Sequence, residues 1–216
     1  MSLNRGMETQ LLFVDKPQNA GKATAVKSGV NYLIENTNIQ NVVFVDADLA
    51  TGFDDYLNLV DVMGEKNLNA VLESRKMNGD MEMERSVFRQ TASFVFGKFI
   101  SGIEGLDIKD TQCGAKVFSR KIAKEVFKES FQSKRLFDVE ILIRIRNYFG
   151  KTRAMDFVNE IHLNKWEEVE CSKITMRDSI QFPIQLCQIV YDYNIKPQFQ
   201  NIGKSINSAF SPSYVA

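Results

Sequence analysis

Between Leu11 and Glu73 the chain switches repeatedly between two hydrophobic periods, and this restricts its fold more than any other feature. Leu11 to Val14 reads as a strand and Asp15 to Gly21 as a turn. A helix follows from about Lys22 to Glu35, because Ala23, Val26, Val30, Leu33 and Ile34 recur at helical spacing. Val42-Val43-Phe44-Val45 is an apolar run rich in β-branched residues, which suits a buried strand. A helix near Asp54 to Met63 then leads to a strand over Asn69 to Glu73. Strand–helix–strand–helix–strand alternation predicts a parallel sheet covered by helices. In such open α/β sheets ligands sit outside the carboxyl ends of the strands. Asp46-Ala47-Asp48 occupies that place after the second strand.

Beyond Ser74 the pattern changes. Residues Arg75 to Glu82 are polar and contain glycine, which predicts a loop. A long helix is expected from about Met83 to Ile103, then the turn Asp110 to Gly114 and a short strand over Lys116 to Ser119. A helix from Arg120 to Phe127 comes next. Asp138 to Phe149 forms an amphipathic helix, with Val139, Leu142, Ile143 and Ile145 on one face and Arg144 and Arg146 beside it. Thr152 to Leu163 is expected to be a strand. Thr175 to Tyr193 reads as a helix that Pro183 kinks or splits.

Composition removes several function classes. The 216 residues carry 27 Lys plus Arg against 27 Asp plus Glu, so no global positive field points to nucleic acid. The three cysteines Cys113, Cys171 and Cys187 are widely spaced and form no Cys-x-x-Cys pair, which fits a reducing cytoplasm. His162 is the single histidine, so neither a histidine-built metal site nor a Ser-His-Asp triad is available. No stretch reaches the roughly 18 to 20 apolar residues that span a bilayer, and the longest, Phe94 to Ile103, is broken by Gly97, Lys98, Ser101 and Gly102.

Each local motif has two readings. Asp46 and Asp48, two positions apart at a strand exit, suit one hard divalent cation clamped on a diphosphate; solvated aspartates in a turn are the plainer alternative. Asn19-Ala20-Gly21-Lys22 opens a helix, where free N–H groups and a lysine suit phosphate. It is not a Walker loop, which needs Gly at Lys16 and Ser or Thr at Ala23. Arg85 and Arg89 share a helical face and suit phosphate, or pair with Glu82 and Glu84. A haloacid-dehalogenase-type phosphatase also starts with two such carboxylates, but it needs Thr or Val where Ala50 stands. Asp110-Thr111-Gln112-Cys113-Gly114-Ala115-Lys116 packs unusual chemistry into one turn that composition alone does not assign.

Taken in order, these strings resemble family 2 glycosyltransferases of the GT-A fold, and within them the dolichyl-phosphate β-glucosyltransferase and polyprenyl-phosphate glycosyltransferase branch. The matching elements are Asn19-x-Gly21-Lys22, Asp46-Ala47-Asp48, Ser74-Arg75, Arg85-Ser86 with Arg89, Asp110 to Gly114, Phe137-Asp138-Val139-Glu140, Trp166-x-Glu168 and Ser172-Lys173. Each is weak singly; their collinear order from residue 19 to residue 173 is specific.

The resemblance implies an α/β GT-A domain with a mostly parallel sheet and helices on both faces. Residues 11–74 would form the nucleotide-sugar half, 75–173 the acceptor and catalytic half, and 174–216 a C-terminal helical segment and tail. It implies that Asp46 and Asp48 hold Mg²⁺ or Mn²⁺ against the donor diphosphate. Asn19, Gly21, Lys22, Ala47 and Arg75 would border the donor. Arg85, Arg89, Asp110, Gln112 and Asp138 would form the reaction site, and Lys116, Trp166, Glu168 and Lys173 the acceptor side and its loop. The implied reaction is inverting transfer of a hexose, glucose from UDP-glucose foremost, to a polyprenyl phosphate; a saccharide acceptor is the alternative. A prenyl phosphate nucleophile is already anionic, so no strong base is needed. The implied location is the cytoplasm or the cytoplasmic face of a membrane, with Thr175 to Tyr193 packing on the core or lying on that surface.

Two departures accompany the resemblance. Ala50 stands where some lipid-phosphate relatives carry a metal-assisting Gln. The family's first strand–helix unit and acidic nucleotide-base motif have no counterpart before Leu11, so an N-terminally truncated, binding-only fragment is the expectation from a different class.

Overall fold

The computed structural model describes residues 18–45, 52–74, 106–108, 110, 111, 113–162 and 176–196. Helix α1 spans Lys22–Asn36, strand β1 Asn41–Phe44, helix α2 Phe53–Glu65 and strand β2 Ala70–Ser74. Strand β3 (Lys116–Ser119) runs directly into helix α3 (Arg120–Val126). Helix α4 (Phe137–Phe149), strand β4 (Val158–His162) and helix α5 (Met176–Val190) complete the order. A single π-helical stretch, Tyr191–Ile195, extends α5.

The four described strands lie in the order β1-β3-β2-β4. β2 and β4 are parallel, with Ser74 opposite His162. β3 is antiparallel to both β1 and β2, placing Lys116 opposite Phe44 on one side and Leu72 on the other. β1, β2 and β4 therefore point one way, and their carboxyl ends share an edge with the first residue of β3. This is the mixed α/β, GT-A type architecture that the resemblance implied; the alternation predicted only the parallel strands, and β3 enters between β1 and β2 as an antiparallel strand.

Alternation along the strands divides the core into two layers. Val42, Phe44, Ala70, Leu72 and Phe118 face α1, α3 and α4 in one apolar cluster. Val71 and Val117 face α2, where Tyr56, Leu59 and Met63 pack with Cys113 and Ala115. Outside α4, residues Leu136, Val139 and Ile143 meet Leu186 and Ile189 of α5. The end of α1 is fixed by Arg120, whose guanidinium donates to the carbonyls of Ile34, Thr37 and Ile39.

Three expectations need correcting. The strand expected from Thr152 begins only at Val158. Gly150 at φ 86° ends α4, and the following N–H groups of Ala154, Asp156 and Phe157 bond to carbonyls three or four residues back, closing a 3₁₀ turn over Ala154–Asp156. Pro183 does not divide the last helix, which runs through it from Met176 to Val190. Proline removes one N–H from the ladder, and the packing of Leu186 and Ile189 on α4 holds the helix in register. Thirdly, the expected amphipathic helix is present as α4, but the side flanked by Arg144 and Arg146 is not left to solvent. Asp138, Glu140 and Arg146 are buried along with its apolar residues, because α5 and the π-helical stretch cover what would have been its polar side.

The strand expected at Leu11 to Val14, the loop Arg75 to Glu82 and the helix Met83 to Ile103 lie outside the described residues. No helix among the described residues is long and apolar enough to cross a membrane.

Candidate active site at the carboxyl edge of the sheet

The edge where β1, β2 and β4 end gathers most of the buried polar side chains. Glu73 and Ser74 close β2, Lys116 opens β3, and Asp110 and Thr111 begin the turn leading to it; all are buried. The turn is held from several sides. The Asp110 N–H donates to Glu160 Oε1 on β4 at 2.7 Å. The Ala115 carbonyl accepts the Glu73 N–H at 3.0 Å. Cys113 is sunk in the apolar layer against α2.

Lys116 is the centre of the edge. Its side chain has no exposure, and its ammonium donates to Asp138 Oδ1 at 2.8 Å. The same ammonium donates to the Cys113 carbonyl and lies 5.8 Å from the centre of the Phe44 ring. Phe44 is the last residue of β1, with Asp46 two places on in sequence. The Phe44 ring in turn is 6.0 Å from Phe137, and Lys22 Nζ is 5.7 Å from the Phe137 ring centre. Lys22, Phe137, Phe44, Lys116 and Asp138 thus form one connected set. It joins the start of α1, the end of β1, the start of β3 and the start of α4.

The opening of α1 shows why its turn carries Asn and Gly. Asn19 Oδ1 accepts the Gly21 N–H at 3.0 Å, closing a side-chain turn. Gly21 caps the helix at φ 88°, ψ 165°, a region open in practice to glycine alone. Lys22 then follows at the positive end of the helix dipole. A Cβ on Gly21 would lie 3.6 Å from the Lys134 side chain, whose aliphatic stem runs beside this turn.

Of the residues singled out in the sequence, the structure pairs Lys116 with Asp138, links Lys22 to them only through the Phe137 and Phe44 rings, and puts Asp110 on the turn preceding Lys116. Asn19 and Gly21 shape the helix start. Asp46, Ala47, Asp48, Arg75, Arg85, Arg89, Gln112, Trp166, Glu168 and Lys173 lie outside the described residues. Among the described residues no group of three or more His, Cys, Asp or Glu side chains is placed to hold a metal.

Sequence reasoning missed a second polar cluster behind Asp138. The buried Glu140 carboxylate accepts the N–H groups of Gln132 at 3.0 Å and Ser133 at 2.7 Å, and the Tyr193 hydroxyl at 2.9 Å. Arg144 donates to that hydroxyl and to the carbonyls of Val126, Glu129 and Ser130. It also lies over the Phe131 ring at 4.3 Å. Burial, reinforced by the adjacent Glu140 carboxylate, pushes the Tyr193 phenol up to about 12. The i, i+4 spacing of Glu140 and Arg144 was the available signal; nothing in the sequence marked Tyr193.

Known proteins supply the context. A dolichyl-phosphate β-glucosyltransferase of Dictyostelium discoideum is 34% identical over 182 residues, which are 82% of this chain and 52% of that protein. One of Trichomonas vaginalis is 31% identical over 194 residues, 87% of this chain and 55% of that protein. Over these stretches the chain is similar to dolichyl-phosphate β-glucosyltransferases. The Saccharomyces cerevisiae dolichyl-phosphate β-glucosyltransferase extends the series at 30% identity over 199 residues, 85% of this chain and 56% of that protein. The chain spans about half the length of the curated relatives it matches. No family model matches it. These relatives share with this chain a stretch that takes in the whole described sheet.

Proposed function

We propose that the protein transfers a hexose, glucose foremost, from a nucleotide diphosphate sugar to dolichyl phosphate. The observation that carries this reading is the buried Lys116–Asp138 pair at the carboxyl edge of the sheet, in a chain whose relatives are named as dolichyl-phosphate β-glucosyltransferases. That edge suits a reaction whose leaving group is an anionic nucleoside diphosphate. Lys22 brings positive charge to the start of α1, where backbone N–H groups add their own.

In this reading Asp46 and Asp48, which follow β1 in sequence, hold the divalent cation. Two carboxylates plus substrate phosphates form a donor set suited to Mg²⁺ or Mn²⁺. When bound, the ion supplies charge stabilisation for the departing diphosphate. The acceptor phosphate is anionic before it reacts, so the chain's own task is alignment and charge screening rather than proton removal. Attack in line at the anomeric carbon inverts its configuration. Asp110 and Asp138 then serve to shape the sugar site, and Arg75, Arg85 and Arg89 to meet phosphate oxygens. The active side faces the cytoplasm, with the protein peripheral on the membrane that holds its acceptor.

Calorimetry with UDP and Mn²⁺ tests the donor half of the reading. Binding on the order of micromolar is expected, and Asp46→Ala with Asp48→Ala should abolish it together with hexose transfer. Full transfer by that double variant would overturn the assignment of the metal pair. Nucleotide binding with no transfer to any acceptor would favour a binding-only role.

A further inference from the structure

We propose that Lys116 is the positioning residue of this site, acting on the chemistry through Asp138; the inference rests on the transferase reading above. A lysine with no solvent exposure at the mouth of a sheet is an expensive choice, because an ammonium in the interior must recover its lost hydration from fixed partners. Lys116 has three such partners, each on a different segment. Asp138 Oδ1 lies 2.8 Å away on the first turn of α4. The Cys113 carbonyl belongs to the turn that starts at Asp110. The Phe44 ring, 5.8 Å from the ammonium to its centre, ends β1.

An apolar residue at position 116 would fill the same layer without that cost. Its neighbours on the sheet, Phe44 and Leu72, are both apolar, and so is Phe118 on the same face. What the ammonium adds is direction. It aims the Asp138 carboxylate by a short charge-assisted bond and pins the carbonyl of Cys113, two residues before β3 is reached through Gly114 and Ala115. Three segments are thereby set relative to one buried point: the end of β1 at Phe44, the turn that starts at Asp110, and the first turn of α4 with Asp138. Asp138 spends its charge on Lys116, so it orients groups rather than accepting a proton.

The test is a double-mutant cycle with Lys116→Met, Asp138→Asn and both together, reading hexose transfer and melting temperature. A small misplacement of a reacting group costs roughly 10²-fold in rate. Each single variant should therefore lose kcat by about that factor with a much smaller change in KM for the donor. The double variant should be no slower than the slower single one, because without Lys116 the Asp138 carboxylate is already misaimed and its removal costs nothing further. Losses that multiply to about 10⁴-fold would overturn the proposal, as would unchanged kcat in a folded Lys116→Met chain. Activity that recovers together with melting temperature in the double variant assigns the pair to folding alone and overturns it too. Failure of both Lys116→Met chains to fold leads to the same conclusion.

Amide exchange gives a readout independent of activity. In Lys116→Met it should accelerate at residues 113–115 and 42–44 while α2 stays protected, and equal exchange at those positions would overturn the proposal. If the wild-type chain transfers no hexose, the transferase reading fails and the exchange comparison still decides the role of Lys116.

Discussion

Gly21 and Glu140 show how single residues set this structure. Gly21 opens α1 with a backbone conformation that side chains reject, although a Cβ there would meet nothing closer than 3.6 Å. Gly21→Ala should therefore cost about 1–3 kcal/mol through the backbone alone, measurable as a lower urea midpoint with an unchanged slope. Glu140 has no exposure and accepts three hydrogen bonds. Glu140→Ala leaves the buried Ser133 N–H, the Gln132 N–H and the Tyr193 hydroxyl without their acceptor, and a loss of about 1–3 kcal/mol is expected. The Tyr193 phenol gives this cluster a pH signature. Its value in the folded chain is raised from 10.0 to about 12, so between these limits the unfolded chain releases a proton that the folded chain keeps. Stability from Tyr193 is present below pH 10 and is lost as pH rises towards 12. Tyr193→Phe should remove that part of the alkaline slope in denaturation curves, and an unchanged slope would contradict the assignment.

At the scale of elements, legibility followed periodicity. α1 and α2 were readable because their apolar residues recur at helical spacing, and β2 because a short apolar run stands between polar segments. β3 came out residue for residue, since Lys116 to Ser119 lies between a glycine-bearing turn and the Ser119 cap, whose hydroxyl accepts the Ile122 N–H. The buried polar side of α4 was not readable, because its partners are remote. Tyr193 is 53 positions from Glu140, and only the packing of α5 brings them together. For the same reason Lys116 and Asp138 each stood out in the sequence, while their pairing across 22 positions did not. The contact between α4 and α5 is apolar and buried, so Leu186→Ala should destabilise by about 2–5 kcal/mol. Pro183→Ala tests the opposite direction. It restores a missing helix N–H at an exposed position, and a gain of about 1–3 kcal/mol in thermal or urea stability is expected; a loss would show that proline is required there.

At the scale of the whole molecule, a mixed sheet with helices on both faces packs an apolar layer on each face and carries a buried polar group at its carboxyl edge. The edge is where α1, β1, β3 and α4 start or end, so groups distant in sequence converge there without any long-range charge field. The balanced charge of 27 against 27 agrees with a site built from local placement. The central claim is transfer of a hexose to dolichyl phosphate. It is tested most directly by incubating the protein with radiolabelled UDP-glucose, Mn²⁺ and dolichyl phosphate in detergent, then extracting lipid. Label should pass into the organic phase as an acid-labile glycolipid, in proportion to the dolichyl phosphate supplied. Label that remains aqueous at every acceptor concentration, with the donor intact or merely hydrolysed, would contradict the account.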